Sequence, residues 1–163
     1  MNAFYSTLRK AEKWTLVLLM ILLIVVCFLQ VWFRLVMKEP LAWTEELARY
    51  AFVWLTFIGG AAVVGNWGHF QVDFLLTYCP PWLVKVLRYF SYVCILVFAY
   101  IMVFYGWELL AKVFRQKSAA MLIPMSYPYA ALPLSGLMMI LHLVELVAKD
   151  FRKADAAPQE VQS

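Results

Sequence analysis

Four long apolar runs, separated by short polar stretches, dominate this sequence. They cover about residues 14–33, 45–64, 82–110 and 129–147. About 20 apolar residues in a helix cross the hydrocarbon core of a bilayer. A helix also satisfies its own backbone polar groups, which lipid cannot do. The pattern therefore predicts an all-α membrane protein with four transmembrane helices, in one membrane domain over residues 1–150. Residues 151–163 are polar and alanine-rich and are expected to form a disordered cytoplasmic tail.

The stretches between the runs set the element ends. Arg34 to Thr44 is a connector with a turn at Pro40. Thr44 stands where an N-cap belongs, with Glu45 and Glu46 in the first turn behind it. Gly65 and Gly68 are predicted to end the second helix, and Asn66 to Pro81 forms a loop. Inside that loop His69 to Leu75 alternates polar and apolar residues, which between two spans reads as an interfacial turn. Pro80 and Pro81 start the third helix, because proline is tolerated in a first turn. Lys112 to Pro128 is a further connector, with an apolar patch at Met121 to Pro124. Pro133 is expected to bend the fourth helix early.

Composition strengthens this picture. The chain of 163 residues is 65% hydrophobic and 15% charged, against about 25% charged in an average soluble domain. Its mean hydropathy is +0.77. The net charge of +4 arises from basic residues flanking apolar segments. That distribution suits phospholipid headgroups and argues against nucleic acid. Trp14, Trp32, Lys85 and Arg88 are the lipid-interface candidates. Cys27, Cys79 and Cys94 have no CxxC spacing and are read as small buried hydrophobes.

Lys and Arg counts orient the spans. One side holds Arg9, Lys10, Lys13, Lys85, Arg88, Lys149, Arg152 and Lys153. The other holds Arg34, Lys38, Arg49, Lys112, Arg115 and Lys117. The excess places both termini in the cytoplasm.

Little in the sequence carries chemistry. It has no P-loop. Its two histidines, His69 and His142, are too few for a haem or zinc site built from converging ligands. No metal, cofactor or catalytic residue is predicted, and the chain is not read as an enzyme. Glu45, Glu46 and Arg49 at the second helix start admit two readings. They form an ion or substrate site, or a helix start with a local Glu45–Arg49 pair. Glu46 points about 100° from Glu45, which makes it the better candidate for a contact with another subunit. Thr56 with Gly60, and Ala61 with Gly65, are small residues one turn apart that let a second helix approach. Glu108 and Lys112 stand at i, i+4 in the favourable order.

The run Trp43-Thr44-Glu45-Glu46-Leu47-Ala48-Arg49-Tyr50, followed by Phe52-Val53-Trp54-Leu55 and Gly59-Gly60-Ala61, resembles a known family. So do His69-Phe70-Gln71-Val72-Asp73 and the Pro124, Ser126-Tyr127, Pro133 pattern. The family is the small integral-membrane subunit, DctQ-type, of tripartite ATP-independent periplasmic (TRAP) transporters. The resemblance covers nearly the whole chain. One departure is the neutral Asn66-Trp67-Gly68, where the family often carries positive charge.

The resemblance implies a scaffold in the bacterial inner membrane. Its partners would be a large membrane subunit, holding the sodium and substrate sites, and a periplasmic substrate-binding protein. The cargo would be an organic acid such as a C4-dicarboxylate or sialic acid. Trp43, Glu45, Glu46, Arg49, Tyr50, Trp54, Thr56, Gly59, Gly60 and Ala61 are the subunit-interface candidates. The alternative, a small membrane anchor of a redox enzyme, requires axial histidines on two helices. A self-sufficient exporter requires an intramembrane carboxylate near the centre of a span.

Overall fold

The computed structural model describes the backbone of residues 2–39, 41–78 and 80–156, and the side chains of 5–39, 41–66, 80 and 82–150. The elements are helices: α1 (Asn2–Trp32), a π-helical turn (Phe33–Met37), α2 (Ala42–Tyr78), α3 (Pro81–Val113), α4 (Ser126–Tyr129) and α5 (Ala131–Ala156). Four stretches are long and apolar enough to cross a membrane: Tyr5–Met37, Ala42–Asn66, Trp82–Val113 and Ser126–Asp150.

The ends follow local chemistry. Lys38 takes a left-handed conformation, φ 56°, just after the π turn, which ends the helical run there. Pro80 is extended and Pro81 opens α3, as a first-turn proline should. Thr44 is not the N-cap. The helix already begins at Ala42, and the buried Thr44 hydroxyl donates to the Leu41 carbonyl at 2.7 Å.

Gly65 and Gly68 do not end the second helix, which continues to Tyr78. The energetic reason is plain. Glycine costs a helix only about 1 kcal/mol relative to alanine. Backbone groups left unpaired near lipid cost several each. The loop expected at 66–81 thus shrinks to a joint near Pro80, and the alternating His69–Leu75 stretch lies on a helix. Likewise α5 continues to Ala156. Residues 157–163 of the expected disordered tail lie outside the described residues.

The long helices form a row. α2 packs on α1 and on α5, and α5 packs in turn on α3. The central seam contains Ala61, Val64, Ala99, Met102 and Met139, with Phe57, Ile95 and Leu132 against it. Of the small residues on α2, Ala61 is fully buried and Gly60 faces Met139. Thr56 instead stays exposed and donates to the Phe52 carbonyl. Cys27 and Cys94 are exposed, which corrects the buried reading. A thiol is apolar enough to face lipid without a partner.

One close helix approach has no counterpart in the predicted pairs. A Cβ on Gly136 would lie 2.8 Å from Val103 Cγ2 and 3.1 Å from the Ala99 carbonyl oxygen. Backbone cannot retreat as a side-chain tip can. Gly136→Leu is expected to part α3 from α5, at the roughly 1–3 kcal/mol typical of overpacking. Gly59→Ala is the control, because its Cβ meets only Leu16 Cδ2 at an ordinary 3.8 Å. Thermal unfolding in one detergent should show a lowered midpoint for the first and none for the second.

Candidate functional site

Polar side chains gather at the two ends of the row. At one end the connector 114–125 folds back as a small hairpin. Ser118 N–H donates to the Ile123 carbonyl at 2.8 Å and Met125 N–H to the Gln116 carbonyl at 2.9 Å. Leu122 takes φ 54° near the tip, a left-handed value that a non-glycine residue adopts at some cost.

The hairpin tip closes on Glu46. Ala119 N–H donates to Oε1 at 2.9 Å. Ala120 and Met121 N–H donate to Oε2 at 3.2 and 2.8 Å, and the Ser118 hydroxyl to Oε2 at 3.0 Å. Successive N–H groups converging on one carboxylate make an anion nest. Within this chain Glu46, whose helical direction pointed to a contact with another subunit, is engaged by the connector. Its acceptors are occupied by this chain, by residues more than seventy positions away. Nothing at Glu46 itself marks that return of the chain.

Glu45 behaves as the pairing rule predicts. Arg49 Nη2 donates to its Oε1 at 3.1 Å, and both side chains are exposed. Such a pair contributes little to stability. The Tyr50 hydroxyl reaches Met125 Sδ at 3.3 Å, tying α2 to the base of the hairpin. Trp43 is exposed and Trp54 half-buried. Gly59, Gly60 and Ala61 face α1 or α5 within the chain. Lys112 and Glu108 pair at 2.7 Å on the surface.

The opposite end holds a network that sequence reasoning missed. His142 Nε2 lies 2.7 Å from Glu12 Oε1, and both side chains are buried. Beside it Glu145 accepts from Arg9 at 2.7 Å and from Lys149 at 2.7 Å. Asp150 accepts from the Tyr92 hydroxyl at 2.7 Å and from Arg88 at 3.4 Å. Arg88 thus joins α3 to α5. Trp14, Trp32 and Lys85 are exposed. The missed signal was a matched spacing. Arg9 and Glu12 stand three apart on α1, His142 and Glu145 three apart on α5, with basic and acidic members aligned to cross-pair.

The chemistry open to these clusters is narrow. Among the described residues no group of three His, Cys, Asp or Glu could hold a metal ion. His142, the single span histidine that a redox anchor would use, is engaged by Glu12. Side chains of His69 and Asp73 lie outside the described residues.

A family model described as "Tripartite ATP-independent periplasmic transporters, DctQ component" matches residues 11–153. The chain is similar to the isethionate TRAP transporter permease protein DctMQ of Oleidesulfovibrio alaskensis, 27% identical over 71% of this chain and 18% of that protein. It is similar to the sialic acid TRAP transporter permease protein SiaT of Haemophilus influenzae, 25% identical over 89% of this chain and 24% of that protein. A putative TRAP transporter small permease protein of Haemophilus influenzae is 24% identical over 90% of this chain and 89% of its own length. The chain spans less than a quarter of the length of the first two relatives.

Proposed function

The chain belongs to the DctQ component family of TRAP transporters, and from that membership we propose that it is the static scaffold of a sodium-coupled importer of organic acids. As a member it is a small permease subunit, a multi-pass inner-membrane protein and not an enzyme. In this reading a large membrane subunit carries substrate and sodium, and a periplasmic binding protein delivers the cargo. The cargo is a C4-dicarboxylate, a sialic acid or a related organic anion. Two of the similar proteins are named for isethionate and sialic acid, both organic acids.

One observation carries the scaffold reading. Every described carboxylate on the long helices is paired inside the chain: Glu12, Glu45, Glu46, Glu108, Glu145 and Asp150. A coupling-ion site needs carboxylate or carbonyl oxygens free to ligate. The polar groups here are instead consumed in holding helices and connector together. Alone in liposomes, the chain is expected to give no sodium-driven flux. With the large subunit, the binding protein and a sodium gradient, uptake is expected. Flux from this chain by itself would end the reading.

The large subunit is assigned to the uncovered face of α2. Glu45, Arg49, Phe52, Thr56 and Val63 are all exposed there, at spacings of three, four and seven that fall on one stripe. Both neighbouring faces of α2 are already taken by α1 and α5.

Orientation follows the positive-inside bias. Both termini lie in the cytoplasm, and the connectors 34–44 and 112–128 in the periplasm. In intact cells a membrane-impermeant thiol reagent should label Lys117→Cys and spare Gln162→Cys. The opposite pattern would invert the topology without touching the scaffold reading.

A further inference from the structure

We propose that the cavity between α2 and the connector hairpin binds the phosphate and one acyl chain of an anionic phospholipid. The cavity has a volume of about 620 Å³, within the range of small-ligand sites. Its two ends differ in chemistry. Arg49, Lys117 and Gln116 line the polar end, while Val53, Phe57 and Leu132 line the other. From Glu46 to Phe57 the α2 axis advances about 16 Å at 1.5 Å per residue. The cavity therefore starts at the connector and follows two spanning helices toward the bilayer interior. A free anion would fill only its mouth, and a purely apolar ligand would leave two cations unused. An amphiphile with a phosphate head matches both ends.

The charges support an anionic head. Glu46 also lines this space, but both its oxygens are held by the four donors of the hairpin tip. Among the described residues Arg49 pairs with the exposed Glu45. The connector 114–125 adds Arg115 and Lys117 with no acidic residue. A guanidinium and an ammonium are the donors that recognise phosphate. Both groups lie on the connector side of the cavity, where a phosphate head would accept from them.

The test uses the full chain purified in a neutral detergent and followed by native mass spectrometry. Palmitoyl-oleoyl phosphatidylglycerol should be retained in preference to the phosphatidylcholine of the same chains. Replacing Lys117→Ala and Arg49→Ala together should lower retained phosphatidylglycerol about tenfold, corresponding to roughly 1.4 kcal/mol. Leu132→Trp, which fills the apolar end and leaves both cations, should also lower it. Unchanged retention in the double variant would overturn the proposal. So would an equal loss in Lys85→Ala, on the opposite end of the row, because that would mark generic surface attraction. Full displacement by millimolar inorganic phosphate would also overturn it, showing a free-anion site. These measurements read lipid retention by this chain alone, while the scaffold reading is tested by flux with and without the large subunit, so the two fail separately.

Discussion

His142→Ala is expected to destabilise the protein more than any other single side-chain truncation on α5. The ring sits between three helices. Its Nε2 faces the buried Glu12 of α1, and the ring lies so close to α2 that a Cβ on Gly65 would stand 2.8 Å from Nδ1. Removing the ring leaves the Glu12 carboxylate enclosed without its partner. Breaking a buried pair in this way costs about 3–5 kcal/mol. Glu12→Ala leaves the ring stranded and should move the thermal midpoint in the same direction. Joint replacement by Glu12→Gln and His142→Gln restores a donor and an acceptor, and should recover much of the loss. Contacting residues commonly couple by about 0.5–3 kcal/mol in such a cycle. Thermal unfolding of wild type, both single Gln variants and the double in one detergent reads it directly. Additive effects would show that the two residues act separately, and the latch between α1 and α5 would be abandoned. Gly65→Ala probes the same spot from α2, since its Cβ displaces the ring from Glu12.

That latch also marks the limit of what the sequence makes legible. Helix existence depends on local composition, so four spans could be placed from apolar length alone. The start of α3 at Pro81 and the Glu45–Arg49 pair depend on one or two neighbouring residues, and both were readable. Gly65 was misread because its local signal, a helix stop, competes with a constraint invisible to a window. Near lipid the helix must continue to keep its backbone satisfied, and that same glycine makes room for His142. Tertiary partners are harder still. Glu12 lies just before the apolar run, where no neighbouring residue signals burial. Its burial depends on His142, 130 residues away. The Gly136 contact with Ala99 and Val103 likewise needs the crossing of α3 and α5, which no spacing on either helix specifies.

Glu46→Ala is expected to release the connector hairpin from α2. The physical basis is the number and kind of bonds lost. One carboxylate receives three backbone N–H groups and one hydroxyl, and bonds to an ionised acceptor are about twice as strong as neutral ones. Without the carboxylate the tip keeps its Ser118–Ile123 and Gln116–Met125 bonds, but nothing aims it at α2. Amide exchange at Ala119, Ala120 and Met121 should therefore quicken sharply, with exchange in the middle of α2 and α5 unchanged. Ser118→Ala, which deletes one donor of the four, should have a smaller effect in the same place. Glu45→Ala should have none, because its partner Arg49 is exposed and does not touch the hairpin bonds. If the hairpin shapes the face offered to the large subunit, copurification at matched expression should stay at the wild-type level in Glu45→Ala and fall in Ser118→Ala and further in Glu46→Ala. The stretch around Glu46 then acts by positioning a loop, in contrast to the direct intersubunit contact that its helical direction implied. Unchanged exchange at the tip in Glu46→Ala would refute the clasp. Quickened exchange with wild-type copurification would keep the clasp and remove the hairpin from the subunit interface.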